Sequence, residues 1–326
     1  MLSRRKFLAA SAGLAAAGLA APARAQMLNK PVKLIVGFPA GGGTDVIARL
    51  LAEKLRGNYA STVIVENKPG ASARLAIEFV KTSEPDGATL LFTPDFPLTV
   101  YPYSFKSLSY DSIKDLTPVA PTASSMLTFN VGPAVPDSVK SAKDFVEWCR
   151  ANPSKASFAT TSAGGTPHFV GVMLSQAAGV PMQAVHYRGG APALQDLIGG
   201  HVPASVNPIS EAMPLAEQGS LRVLAVTGPR RSRFMPNVPT MKESGYDVVL
   251  DSWLGVVGPA NMPADVLKNL SNAIEAAVKS PDYVESLAKF GNEPFFMPPD
   301  TFAVRYKSDV AKWGPIVKAS GFVATD

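Results

Sequence analysis

The sequence predicts a bilobed α/β protein built on two sheets, each mainly parallel and each flanked by helices. Strand-like and helix-like runs alternate twice over, first from Val32 to Phe92 and again from Met126 to Thr227. Three helical patterns near the C-terminal end, at 264–279, 281–290 and 300–318, have no strands of their own and must cover a sheet built earlier. A chain of 326 residues that is 46% hydrophobic and 17% charged can also fill two medium cores, the size at which a single core usually splits.

Val32-Lys33-Leu34-Ile35-Val36 is a β-branched run that ends in a Gly-rich turn. Thr44 or Asp45 can cap the helix that follows, Val46, Ile47, Leu50, Leu51 and Leu55 recur at helical spacing, and Gly57 stops it. Val63-Ile64-Val65 reads as a strand, Asn67-Lys68-Pro69-Gly70 as a turn, about 72–82 as a helix, Pro85-Asp86-Gly87 as a turn and Leu90-Leu91-Phe92 as a strand. The second series runs strand 126–129, helix 138–151, strand 156–160, helix 167–178, strand 183–187, helix 190–198, strand 202–207, helix 210–218 and strand 221–227. An extended apolar run, Val248 to Val257, precedes the three last helices. The economical arrangement puts residues 26–125 and 250–326 in the first domain and 126–249 in the second, with hinge crossings near 125 and 250. Such a clamshell places the carboxyl ends of both sheets on opposite walls of one cleft, where ligands bind in open α/β folds.

Residues 1–25 read as an export signal, with Arg4-Arg5-Lys6, an apolar run from Phe7 to Ala21, and Ala23-Arg24-Ala25 as a small-x-small cleavage site. Cleavage after Ala25 leaves a chain of 301 residues, expected to be soluble outside the cytoplasm. The apolar run falls short of the ~20 residues that span a bilayer, and Ser3-Arg4-Arg5-Lys6-Phe7-Leu8 is similar to the twin-arginine export motif. The formal charge of +5 belongs largely to this segment. Without its four cations, the 31 Lys and Arg become 27 against 26 Asp and Glu, which leaves no electrostatic footprint for nucleic acid. One cysteine, Cys149, excludes a disulfide scaffold and Cys-rich zinc sites, and reads as a buried small hydrophobe. Neither a cofactor nor a metal site is expected, since His168, His186 and His201 lack metal-ligand spacing.

Phe38-Pro39-Ala40-Gly41-Gly42-Gly43-Thr44-Asp45 joins the first strand to the first helix. Consecutive glycines let backbone approach a ligand closely, and a helix start offers unpaired N–H groups and a positive dipole end to an anion. It is no dinucleotide fingerprint, because Val46 stands where the third glycine belongs, and no Gly-Lys-Ser/Thr follows to make a phosphate loop. A flexible turn without a ligand is the alternative. Thr160-Thr161-Ser162-Ala163-Gly164-Gly165-Thr166-Pro167-His168 repeats the design in the second domain, with Thr161, Ser162, Gly164, Gly165 and Thr166 as candidate contacts. A hydrolase elbow around Ser162 fails at its first position, Thr160. His168 is either a ligand contact or a first-turn residue hydrogen-bonded to its own loop. Further candidates at strand ends are Thr93, Asp95, Arg188 and Asn207, each of which an ordinary turn or surface pair would also explain. Phe38 and Phe96 suit an apolar ligand body or the core.

These residues carry a resemblance. Phe38 to Asp45, Val65-Glu66-Asn67-Lys68-Pro69-Gly70-Ala71, Pro85-Asp86-Gly87-Ala88-Thr89-Leu90-Leu91 and Lys114-Asp115-Leu116-Thr117-Pro118-Val119 resemble the Bug, or TctC, family of extracytoplasmic solute receptors of tripartite tricarboxylate transporters. The likeness continues through Tyr187-Arg188-Gly189-Gly190-Ala191-Pro192-Ala193-Leu194, Leu197-Ile198-Gly199-Gly200, Leu224-Ala225-Val226-Thr227 and Pro236 to Gly245. It implies a periplasmic-binding-protein-like clamshell that closes on a small organic carboxylate in the periplasm. It also implies a monomer that serves the membrane subunits of a transporter and is not an enzyme. Family members hold a carboxyl group with N–H groups, hydroxyls and waters from the two Gly-rich loops. The chain departs from the pattern at Gly70-Ala71-Ser72-Ala73-Arg74-Leu75-Ala76-Ile77, where the family usually reads Gly-Ala-Gly-Gly-Asn-Ile-Gly-Ala, and at Thr166, Pro167 and Asn207. Arg74, a cation in the first turn of a helix, is expected either to reach a second carboxylate in the cleft or to stay solvated or paired with Glu78. A secreted hydrolase and a metabolite-sensing adaptor of a membrane signalling protein are the competing readings.

Overall fold

A computed structural model describes residues 27–323, so the expected export signal at 1–25 lies outside the described residues. The first sheet has the strand order β11-β4-β10-β3-β1-β2, from β1 (Val32–Val36), β2 (Val63–Asn67), β3 (Thr89–Pro94), β4 (Leu116–Ser125), β10 (Ser252–Pro259) and β11 (Glu293–Pro294). The second has the order β7-β6-β8-β5-β9, from β5 (Leu127–Val131), β6 (Ser157–Thr160), β7 (Gln183–His186), β8 (Ala204–Pro208) and β9 (Arg222–Val226). Parallel pairing holds where strands alternate with helices, β1 with β2 and β3, and β6 with β7 and β8. Strands at the passages between the sheets pair antiparallel: β10 with β3 and β4, and β5 with β8 and β9. Each sheet is therefore mixed, and its parallel portion carries the βα loops.

The helices are α1 (Gly43–Leu55), α2 (Arg74–Lys81), the short α3 (Phe96–Thr99) and α4 (Tyr101–Ser104), α5 (Ala142–Ala151), α6 (Thr166–Ala178), α7 (Gly190–Ile198), α8 (Ile209–Glu217), α9 (Ala264–Lys279), α10 (Pro281–Ala288) and α11 (Pro299–Ala319). One face of the first sheet packs on α1, α9 and α10 through Leu51, Leu55, Leu270, Ile274 and Leu287. The opposite face packs on α2 and the first half of α11 through Ile77, Val80, Phe302 and Tyr306. Each fully buried Leu, Ile or Phe contributes about 1.5–3 kcal/mol, so these stripes set where the helices lie.

Several local readings shift. Neither Thr44 nor Asp45 occupies the N-cap of α1, which is Gly42. Strand β4, helices α3 and α4 and the edge strand β11 fill stretches that show no clear periodicity. Val248 and Leu250 belong to the core of the second sheet, and β10 starts only at Ser252. The second half of α11 leaves the first sheet: Trp313 and Val317 join Phe129, Phe158 and Phe169 of the second. Ala71, Ser72 and Ala73 all have positive φ, at 45°, 56° and 73°. At two of these positions the family pattern has glycine, the residue that adopts this conformation without a Cβ penalty.

Candidate functional site

Four helices begin at one cavity of about 250 Å³ between the two sheets. Gly42, Gly43 and Thr44 bring the start of α1 to it, Thr166 and Pro167 that of α6, Gly189, Gly190 and Ala191 that of α7, and Pro208, Ser210 and Glu211 that of α8. Each helix follows a strand of the parallel portion, so its unpaired N–H groups fall at the carboxyl end of a sheet. Four ends of about half a positive charge each make this an electropositive space. Apolar groups supply most of the remaining wall: Phe38, Pro39, Pro94, Phe96, Leu127 and Leu254. Among the lining residues Arg188 is the one cation and Glu211 the one carboxylate.

The helix starts approach one another closely enough that a Cβ on either glycine would displace a neighbouring side chain. A Cβ on Gly43 would lie 2.6 Å from the Ser210 Oγ, and one on Gly190 would run into the carboxylate of Glu211. Gly43 belongs to an α1 that packs on the first sheet, whereas Ser210, Glu211 and Gly190 belong to helices on the second, so the approach of Gly43 to Ser210 and Glu211 joins the two walls. Burial disfavours the charged form of Glu211 and raises its pKa, partly offset by the Asn207 amide and the Gly43 N–H.

Of the residues expected to meet a ligand, Phe38, Ala40, Gly41, Gly42, Gly43, Thr44, Thr161, Thr166 and Arg188 line the cavity. The others have different places. Asp45 is buried below the Gly loop, where it accepts from the Gly41 N–H at 2.9 Å, from Arg49 twice at 2.9 Å and from Asn67 at 2.8 Å. Burial opposes its ionisation, but Arg49, Gly41 and Asn67 outweigh it and hold the carboxyl below its usual range. Asp45 therefore shapes the loop. Asp95 lies under the cavity, buried, and accepts a 2.6 Å hydrogen bond from the hydroxyl of Ser252, a lining residue. Burial pushes its pKa to about 7, helped by the nearby Asp309 and Asp251 and opposed by Ser252. Thr93 is buried outside the cavity lining, its hydroxyl donating to the carbonyl of Pro94 at 2.9 Å. His168 accepts from the Gly164 N–H at 3.1 Å, as a first-turn residue bonded to its own loop, and burial lowers its pKa to about 4, so the ring is neutral. Gly164 accepts from the Ser104 hydroxyl at 2.8 Å, and Gly165 packs against Phe96. Ser162 is buried, with no His or acid hydrogen-bonded to its hydroxyl. Asn207 is fully buried behind Pro208 and donates to Glu211 at 3.3 Å.

Arg74 does not line the cavity. Its guanidinium lies 4.2 Å from the centroid of the Phe105 ring and donates to the carbonyl of Ala71 at 3.0 Å, so it neither reaches the cavity nor pairs with Glu78. A ladder of edge-on rings, Phe38, Phe96, Tyr101 and Phe105, separates it from the cavity, with centroids 5.9, 5.7 and 4.7 Å apart. Sequence reasoning missed Ser125, Leu127, Ser252 and Leu254, because it searched βα loops and these stand on the antiparallel strands at the passages between the sheets. It also missed Glu211, whose signal is an acid in the first turn of a helix that follows a strand end. Among the described residues no three of His, Cys, Asp and Glu gather at metal-binding spacing, and no helix is long and apolar enough to cross a membrane.

Comparison with known proteins agrees with this geometry. Residues 47–322 match the family described as the tripartite tricarboxylate transporter family receptor. A protein encoded in the gbd 5′ region of Cupriavidus necator is 36% identical over 98% of this chain and 98% of its own length. Protein BugT of Bordetella pertussis is 31% identical over 94% and 95%. The periplasmic binding protein BugD superposes with a TM-score of 0.84 at 29% identity, covering 90% of this chain and 99% of that one. An R. palustris protein solved with adipate superposes with a TM-score of 0.86 at 28% identity, covering 90% and 98%. The two-sheet clamshell, its electropositive cavity and these likenesses along nearly the whole chain lead to one conclusion: the protein belongs to the TctC, or Bug, family of solute-binding receptors.

Proposed function

We propose that the protein is a periplasmic receptor that captures a small organic carboxylate between its two domains and delivers it to the membrane subunits of a tripartite tricarboxylate transporter. The observation that carries this reading is the convergence of four helix N-termini, from both walls, on one largely apolar cavity. Backbone N–H groups there suit a carboxylate head, and Phe38, Phe96, Leu127 and Leu254 suit an apolar body. Adipate in the R. palustris relative supports the ligand class. The passages near 125 and 250 serve as the hinge, so the loops named above close on the ligand from both sides. Binding is reversible and involves no bond chemistry. Ser162, the nucleophile a hydrolase would need, has no base hydrogen-bonded to it.

A panel of mono- and dicarboxylic acids screened by thermal unfolding tests the reading. Ligand at about 100 times its Kd adds ~2.7 kcal/mol of stability, and in a chain of this size that raises Tm by about 5 °C or more. Failure of every acid to shift Tm would refute carboxylate capture. A product that accumulates with wild type and not with Ser162→Ala would point to the hydrolase instead.

A further inference from the structure

Glu211 lines the cavity from the first turn of α8. Its carboxylate stands between the starts of α1 and α7, with Oε2 against Gly190 and Oε1 3.7 Å from where a Gly43 Cβ would lie. Asn207, fully buried and outside the cavity lining, donates its Nδ2 to Oε2 at 3.3 Å. Its Oδ1 is buried and has no hydrogen-bond partner. None of the ion pairs among the described residues includes Glu211 or Arg188. Glu211, in the first turn of α8, thus presents a carboxylate to the cavity with no ion-pair partner among the described residues, while the start of α6 and the Arg188 side chain also line it and can meet an anion.

We propose that Glu211 is a specificity-determining residue that selects a carboxylic acid carrying an N–H donor, an ammonium or amide group, at its other end and disfavours a second carboxylate. The inference rests on the carboxylate-receptor reading above and deepens it. An N–H group donates to the Glu211 carboxylate and gives it the partner that no ion pair among the described residues supplies. A second carboxylate would set like charges side by side in largely apolar surroundings, with Arg74 held away on Phe105.

Calorimetry on matched acids reads this directly: hexanoate, adipate and 6-aminohexanoate, and the ring series benzoate, benzene-1,4-dicarboxylate and 4-(aminomethyl)benzoate. In wild type the amino acid of a series binds at least about tenfold tighter than its diacid. Glu211→Gln, which keeps the shape and removes the charge, narrows that ratio to about twofold and leaves the monoacid nearly unchanged. A diacid that binds tightest to wild type overturns the proposal without recourse to any variant, and leaves the receptor reading standing. So does an equal loss for all three acids in Glu211→Gln. If no acid of either series binds wild type, both readings fall.

Discussion

Individual side chains in this site are set by what lies behind them as much as by what they face. Asp95 shows this: the strand end offers it as a ligand contact, yet the fold buries it and spends its acceptor on the Ser252 hydroxyl. Its pKa of about 7, against about 4 for a solvated Asp, makes it a pH-dependent liability. The folded protein keeps the proton where the unfolded chain has lost it, so stability falls as pH rises from about 4 to about 7 and stays lower above that. Asp95→Asn retains an acceptor for Ser252 and carries no charge. It should stabilise the protein by about 1–3 kcal/mol at pH 8 and hardly at all at pH 4.5, as read from urea midpoints. An equal gain at both pH values would mean that Asp95 titrates normally.

At the scale of elements, the passages between the sheets are stitched by one side chain. Thr227, just after β9, is fully buried; its hydroxyl accepts from the Leu127 N–H at 3.1 Å and donates to the Leu250 carbonyl at 3.0 Å. It therefore joins the outgoing and the returning segment. Thr227→Val conserves volume and leaves both backbone groups unpaired, at a cost of about 1–3 kcal/mol. Amide exchange should accelerate at Leu127, whose N–H loses its acceptor, ahead of the rest of the sheets and of Leu250, whose N–H keeps the Thr227 carbonyl, and unchanged protection at Leu127 would show that the stitch is dispensable. Periodicity reveals the helices and parallel strands because each buries one regular face, and the Gly loops are legible because glycine permits close approach. The antiparallel strand β4, rich in Pro, Ala, Ser and Thr, gives no such signal. Its burial comes from β10, more than a hundred residues away in sequence, so Ser125 and Ser252 reach the cavity wall through a pairing that no local pattern records. The place of Arg74 is illegible in the sequence for a related reason, since Phe105, its stacking partner, lies in a stretch with no legible periodicity.

At the scale of the molecule, α11 decides how independent the two lobes are. Phe302 and Tyr306, in its first half, pack beneath Trp253 of the first sheet, with the Phe302 ring 4.9 Å from the Trp253 ring. Trp313 and Val317, in its second half, lie in the core of the second, where Trp313 meets Phe169 at 5.8 Å. Phe96, Val100 and Tyr101 of α3 and α4 enter the same second core although the strands before them belong to the first sheet. One hydrophobic cluster therefore runs behind the cavity from lobe to lobe. That bridge opposes separate unfolding, because losing either lobe exposes the apolar face of the helix it shares. Thermal unfolding of the wild type should be a single transition, coincident in near- and far-ultraviolet circular dichroism. Trp313→Ala empties the bridge without touching the cavity and costs about 3–5 kcal/mol. It should also separate the two probes, the lobe of the second sheet melting first. Two transitions in the wild type would mean that the lobes unfold independently despite the bridge, and a Trp313→Ala protein that still melts in one step would mean that they are coupled elsewhere, through the hinge strands and the Thr227 stitch rather than through α11.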